Sequence, residues 1–314
     1  MKNLEKKFSV AAYIDILGYK ELLLKESENQ EIEMFNDLKE TINIALDLTV
    51  VSTKKSIDFI DAKFENSEQL SKRLNAKQFS DNIYFSFDYQ ENSSLDLFLG
   101  VYIITNISLL YQRLMMGKGY FVRGGIACGL NMVDKNFIFS TALIKSVEIE
   151  KETIYPRITI QKELIGKFLN AGDNPFKELI KKLLIQDWSE HIFLNPFLNY
   201  AERVVEAMNT IPQEYTQSLI DNATKKQRKL IKILTEKFAD YFDFEKYNSM
   251  VRVIIEGRMN EYKNKERSIY EKYLWTKNLL NWVDNKPSEP IFKYLPSINE
   301  LPNLTVVNEG TGDI

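Results

Sequence analysis

The stretch VAAYIDILGYKELL, residues 10–23, sets one carboxylate near the start of an otherwise apolar run. Val10 to Ile14 read as a buried strand, with β-branched and aromatic side chains and no charge. Asp15 follows, then two aliphatics, then Gly18 at what reads as a strand-to-helix corner. Burial disfavours the charged form of a carboxylate, so an acid ending such a strand has two explanations. It is a turn residue that escapes to solvent, or it holds something positive.

Outward from this strand, the first half of the chain alternates strands and helices. Helical sequence runs from Gly18 to about Leu48 with one polar break, KESENQE. Residues 49–70, TVVSTKKSIDFIDAKFENSEQL, read as an irregular polar excursion. NAKQFSDNIYFSFDY, residues 75–89, reads as a hairpin, with apolar alternation on both sides of Ser80, Asp81 and Asn82. A long apolar helix follows over residues 95–116, ended by Gly117 and Gly119. YFVRGGIACGL (120–130) is a strand pair or a bent strand, FIFSTALIKSVEIEKE (137–152) a strand entering a helix, and YPRITIQKEL (155–164) a last strand and helix start.

The order β-α-β-β-α-β, then further β-α, fits an α+β, ferredoxin-like split arrangement. There the first strand runs antiparallel to the third, and its carboxyl end abuts the tip of the central hairpin. Asp15 and Asp81 are therefore expected to meet. LNAGDNPF, residues 169–176, is the first clear linker. Residues 1–170 read as this domain, 171–300 as a helical C-terminal region, and 301–314 as an extended, partly disordered tail.

Bulk composition narrows the chemistry. The 314 residues carry a net charge of -3, which speaks against a broad duplex nucleic-acid footprint. One cysteine, Cys128, precludes an internal disulfide and suits a reducing, cytoplasmic setting. One histidine, His191, leaves too few Cys and His side chains for a zinc site of the usual kind. Cys128 reads as a small core residue, and His191 as a partly buried surface histidine. The sequence shows no signal peptide, P-loop or dinucleotide-binding glycine pattern, and no run is read as a membrane span.

Two carboxylates at one sheet end repel each other unless a cation lies between them. Divalent ions held by two aspartates and substrate phosphates are a chemical answer to that arrangement. A glycine at the following corner lets backbone approach phosphates, and a helix start offers free N–H groups.

AYIDILGYKELL, KQFSDNIYFSF, FVRGGIACG and FIFSTALIKSVEIE with YPRI occur in an order that resembles the class III nucleotidyl cyclase domain. More narrowly, they resemble the bacterial subgroup that includes the pyrimidine cyclases of Pycsar antiphage systems. The likeness spans about Phe8 to Ile160, and WSEHIFLNPFLNY and EKYLWTKNLLNWVDN echo the same subgroup's helical C-terminal part. The resemblance implies that Asp15, Asp81 and the Ile16 carbonyl hold two Mg²⁺ or Mn²⁺ ions. It implies that Gly18, Tyr19 and Lys20 offer backbone N–H groups to phosphates and that Arg123 binds phosphate. Lys77 falls where relatives place a base-reading residue. The implied reaction converts UTP or CTP to a 3′,5′-cyclic mononucleotide and pyrophosphate as a defence signal for a separate effector. Its active sites would be shared in a homodimer, without nucleic acid or membrane.

The sequence also departs from that family's pattern. The family's helix Asn and Arg correspond to Ile144 and Glu148, and its glycine to Ser140. A glutamate cannot serve as a cationic stabiliser. Arg157 in YPRI is the candidate replacement, or else it forms a salt bridge to Glu148 or Glu150. An adenylate cyclase, a non-catalytic nucleotide-binding module and, less favoured on charge, a palm-type polymerase or nuclease are the alternative readings.

Overall fold

The computed structural model describes residues 7–20, 28–59, 67–133, 137–170, 177, 180, 181, 183–186, 191–198 and 239–285. Strand β1 is Lys7–Ile16, followed by helices α1 (Glu28–Phe59) and α2 (Ser67–Arg73), hairpin β2 (Leu74–Phe79) and β3 (Asn82–Tyr89), and helix α3 (Ser94–Gly117). Then come β4 (Val122–Val133), β5 (Ile138–Ser140), α4 (Thr141–Glu152), β6 (Ile158–Ile160) and α5 (Lys162–Asn170). Strands β7 (Leu184–Gln186) and β8 (Ile192–Leu194) and helices α6 (Ala239–Phe242), α7 (Phe244–Tyr262) and α8 (Arg267–Asp284) complete the described elements. The fold is α+β, with the expected βαββαβ order and a helical C-terminal part.

One sheet runs β2-β3-β1-β4-β6-β8-β7, with β5 paired on β4. β1 is antiparallel to both β3 and β4, and β4 is parallel to β6. The register places Asp15 between Asn82 and Arg123. Side chains alternate across a strand, so each strand feeds two different environments. On one face Val10, Ala12 and Ile14 of β1 join Ile83, Phe85 and Phe87 of β3 in the core against α3. On the other face Ser9, Ala11, Tyr13 and Asp15 share a row with Arg123, Gly125, Ala127 and Gly129 of β4.

Helix α4 covers the β4 side of this second face. Gly125 makes that close approach possible: a Cβ there would lie 2.2 Å from the Ser146 carbonyl oxygen. Ser140 takes extended backbone and caps α4, its hydroxyl accepting from the Leu143 N–H at 3.0 Å. Its role as helix cap accounts for a serine at the position where the resemblance places glycine.

Several sequence expectations are corrected. Residues 49–59 are helical, carrying α1 into the stretch expected to be irregular, and α2 begins within that stretch at Ser67. The region after residue 170 adds β7 and β8 to the sheet beside β6, where only helix was expected. YFVRGGIACGL forms a single strand, and within the expected helical C-terminal region α7 and α8 are separated at residues 263–266. By length and composition α3 does qualify as a span, yet most of it is buried in the core. The linker expected at 169–176 begins inside α5, which runs to Asn170; its remainder, residues 199–238 of the expected helical region and the 301–314 tail lie outside the described residues.

The C-terminal helices pack on the sheet end where β1 finishes. Trp275, Leu279 and Tyr273 of α8 cluster with Leu17, Phe121, Tyr155 and Phe193. Tyr155 and Trp275 stack with centroids 5.0 Å apart, and Phe121 meets Tyr273 edge-on at 4.9 Å. Arg113 of α3 is buried beneath them, donating to the carbonyls of Pro196, Leu198 and Tyr241 and lying 3.9 Å over the Tyr247 ring.

Candidate functional site

The strand end and the hairpin tip do meet. The Ile16 N–H donates to the Asp81 carbonyl oxygen at 3.3 Å, and the Leu17 N–H to that of Phe121 at 2.8 Å. Gly18 has φ 74°, the left-handed conformation that glycine adopts most readily, so the chain turns sharply at the expected corner. Ser80, with φ 57°, makes the hairpin turn beside Asp81. The Asp81 carboxylate accepts from Asn82 Nδ2 at 2.9 Å.

Arg123 lies across the strand pair from Asp15. Its Nε donates to Asp15 Oδ2 at 3.4 Å, and its Nη1 to the Thr153 carbonyl oxygen at 3.4 Å. The nearer anion is one the sequence did not single out for this site: Glu150 Oε1 of α4, 2.5 Å from the same Nε. This contact is an ion pair without the angle of a hydrogen bond. Glu150 is buried because Ala142, Ser146 and Glu150 recur every fourth residue on the helix face turned to the sheet. That spacing was present in the sequence as a signal.

Two carboxylates, Asp15 and Glu150, thus share one guanidinium, and Asp81 lies near enough to Asp15 to act on it. Burial, then the Glu150 charge, raises the Asp15 carboxyl from 3.8 to about 6; Asp81 adds to the rise and Arg123 opposes it. Burial likewise raises Glu150, opposed by Arg123 and then Lys151. Tyr13, two residues before Asp15 on the same face, is pushed up to about 12 by burial and then by Asp15, Glu150 and Asp81. The cluster carries more negative charge than its arginine offsets, which is the electrostatic condition a cation relieves.

The donor chemistry fits a hard divalent ion: carboxylates of Asp15 and Asp81, with backbone carbonyls beside them. Among the described residues no group of three or more His, Cys, Asp or Glu side chains is arranged around a metal position. The expected ligand set has two carboxylates, Asp15 and Asp81, completed by the Ile16 carbonyl.

The remaining expected site residues divide. Lys77 is paired with Tyr84, which is paired with Tyr13, so Lys77 stands on the Asp15 face two strands away. The Tyr19 ring packs on the main core, Ile16 is buried, and Lys20 is exposed. Arg157 is in different surroundings from those expected. It is buried, with its guanidinium 5.3 Å from the Phe193 ring centroid and 5.8 Å from that of Trp275. In this arrangement its charge faces aromatic rings; of the two anions expected for it, Glu150 pairs with Arg123 and Glu148 is exposed. Ile144 and Glu148, a turn apart on α4, are both exposed. Cys128 is a buried free thiol and His191 is half-buried, as expected.

No family model and no curated protein matches the chain. Solved structures similar to part of it include the adenylyl cyclase CyaB from P. aeruginosa, at 14% identity over 53% of this chain and 83% of that one, TM-score 0.32. The guanylyl cyclase Cya2 is similar at 16% identity over 54% and 80%, TM-score 0.32. The monomeric guanylyl cyclase domain of the RhoGC fusion protein from the aquatic fungus Blastocladiella emersonii is similar at 9% identity over 60% and 95%, TM-score 0.35.

Proposed function

We propose that this chain is a divalent-metal-dependent nucleotidyl cyclase that acts on a pyrimidine nucleoside triphosphate, UTP ahead of CTP, and makes a signal for antiphage defence. The observation that carries the reading is the crowding of Asp15 by Asp81 and Glu150, with Arg123 alongside, at the glycine corner ending β1. The motif order quoted from the sequence supplies the reaction class.

Asp15 and Asp81, with the Ile16 carbonyl, would hold two Mg²⁺ or Mn²⁺ ions. Such ions supply charge neutralisation of the triphosphate and acidify the ribose 3′-hydroxyl. The chain's own groups bind and orient. Arg123 receives a phosphate oxygen, the backbone at Gly18, Tyr19 and Lys20 approaches the remaining phosphates, and Lys77 faces the base as a donor to a carbonyl oxygen. The 3′-oxygen attacks the α-phosphorus in line as the bond to pyrophosphate breaks. The hydroxyl proton passes to water, and the cyclic ester and pyrophosphate leave.

A homodimer is part of the proposal. Phe137 and Phe139 beside β4 and Ile144 on α4 are large apolar side chains 74%, 64% and 58% exposed. A second copy covering them would account for that exposure. A non-catalytic nucleotide-binding module is the second reading, favoured by one observation: Arg157, the candidate for the missing cationic stabiliser, sits among aromatic rings.

Incubation with Mn²⁺ and each of UTP, CTP, ATP and GTP separates these. The proposal expects a 3′,5′-cyclic pyrimidine nucleotide and pyrophosphate in equal amounts. A cyclic product from ATP moves the base assignment to adenine. Nucleotide binding without pyrophosphate release from any of the four favours the module and ends the enzyme reading.

A further inference from the structure

The closest charge to Arg123 is neither of the two aspartates but Glu150, and the geometry around that pair is specific. Both carboxylates approach the guanidinium from its Nε side, Glu150 at 2.5 Å and Asp15 at 3.4 Å. Nη1 makes one long contact with the Thr153 carbonyl, and Nη2 makes no hydrogen bond among the described residues. The Arg123 side chain keeps 27% of its surface exposed, whereas that of Glu150 keeps 6%. Glu150 is carried on a helix that the Gly125 contact fixes against the sheet, so it offers a stationary anchor. An arginine held on its Nε side, with Nη1 on a carbonyl, leaves Nη2 to donate to a phosphate oxygen.

We propose that Glu150 is the positioning residue for Arg123: it draws the guanidinium off Asp15, leaving that carboxylate to a divalent cation, and turns Nη2 outward to a phosphate. The inference rests on the two-metal reading of Asp15 and Asp81 and adds to it a residue that the reading does not contain. Coulombic attraction grows as separation falls, so the shorter contact keeps the arginine on Glu150. Without that anchor, the strongest anion left within reach of Arg123 is Asp15. A closed Asp15–Arg123 pair would compete with the cation for the same oxygens.

The full-length chain tests this through Mn²⁺ binding, followed by electron paramagnetic resonance of the free ion, with no turnover required. Glu150→Gln is nearly isosteric, and Glu150→Ala is the second variant where the first does not melt cooperatively. We expect Glu150→Gln to weaken Mn²⁺ binding on the order of tenfold when Arg123 is present and less than about threefold in an Arg123→Gln background. Tripolyphosphate affinity in the presence of Mn²⁺ should fall in the same variant. Equal losses in both backgrounds would make Glu150 a direct ligand or a bare charge and would overturn the inference, as would no loss at all. If the unmodified chain binds no Mn²⁺, the two-metal reading fails first and takes this inference with it.

Discussion

The two faces of the β3-β1-β4 sheet are built from the same strands and do opposite things. On the α3 face, Val10, Ala12, Ile14, Ile83, Phe85 and Phe87 are essentially fully buried, in contact with Ile104, Ile107 and their neighbours in one apolar cluster. On the other face, the same strands place Asp15, Tyr13 and Arg123, the neighbouring β2 adds Lys77, and α4 adds Glu150. Burial is favourable on the first face and unfavourable for the carboxylates of the second. Stability resides in one set of alternating positions, and the other set carries a charge imbalance that the first set has to support. A polar network of Tyr84, Asn131, Ser9, Ser86 and Asp88 occupies the same second face farther from the site. There the polar groups satisfy one another, whereas the Asp15 end carries mismatched charge.

That contrast breaks most sharply at the carboxylates. Asp15→Asn and Asp81→Asn should each lower cyclic-product formation by at least about a thousandfold, the loss of roughly 4 kcal/mol of charge stabilisation. Circular dichroism should show the fold retained in both variants. Phe85→Ala on the apolar face should do the reverse, costing about 3–5 kcal/mol of unfolding free energy by leaving a cavity under α3. Denaturant titration measures it.

Asp15→Asn should also stabilise the cation-free protein, by about 1–3 kcal/mol at neutral pH, because it removes a carboxyl raised by burial and like charge. The pH profile is a finer test. Asp15 ionises near 6 in the fold and near 3.8 in the open chain, so between those values the native state binds the extra proton. Its contribution to stability therefore falls as pH rises from about 4 to 6 and is lowest above that range. Cation-free protein should melt higher at pH 5 than at pH 7, with a shallower slope in Asp15→Asn. An unchanged slope in the variant would place the imbalance elsewhere.

Much of this was legible in the sequence because it depends on local pattern. The single acid closing an apolar strand, the Ser80–Asp81 turn and the order of elements sufficed to bring Asp15 to the hairpin tip. The extension of α1 was hidden because its buried face continues as Thr41, Ala45, Thr49 and Thr53, keeping the helical period with side chains that look polar. The three-residue strands β7 and β8 come from short apolar runs that periodicity cannot assign to strand or helix. The surroundings of Arg157 were hidden because its aromatic neighbour Trp275 is far along the chain, on a helix whose docking no local pattern reveals. Glu150 was visible at its four-residue spacing, yet its partner depended on α4 lying over β4, at which only the glycines Gly125 and Gly129 of β4 hint.

The most direct test of the central claim is a crystal of the chain grown with Mn²⁺ and a non-hydrolysable UTP analogue, with anomalous scattering recorded at the manganese edge. The account predicts anomalous peaks in coordinating range of both the Asp15 and Asp81 carboxylates, with the triphosphate between them and Arg123. Manganese bound elsewhere, or a nucleotide seated away from the end of β1, would contradict it.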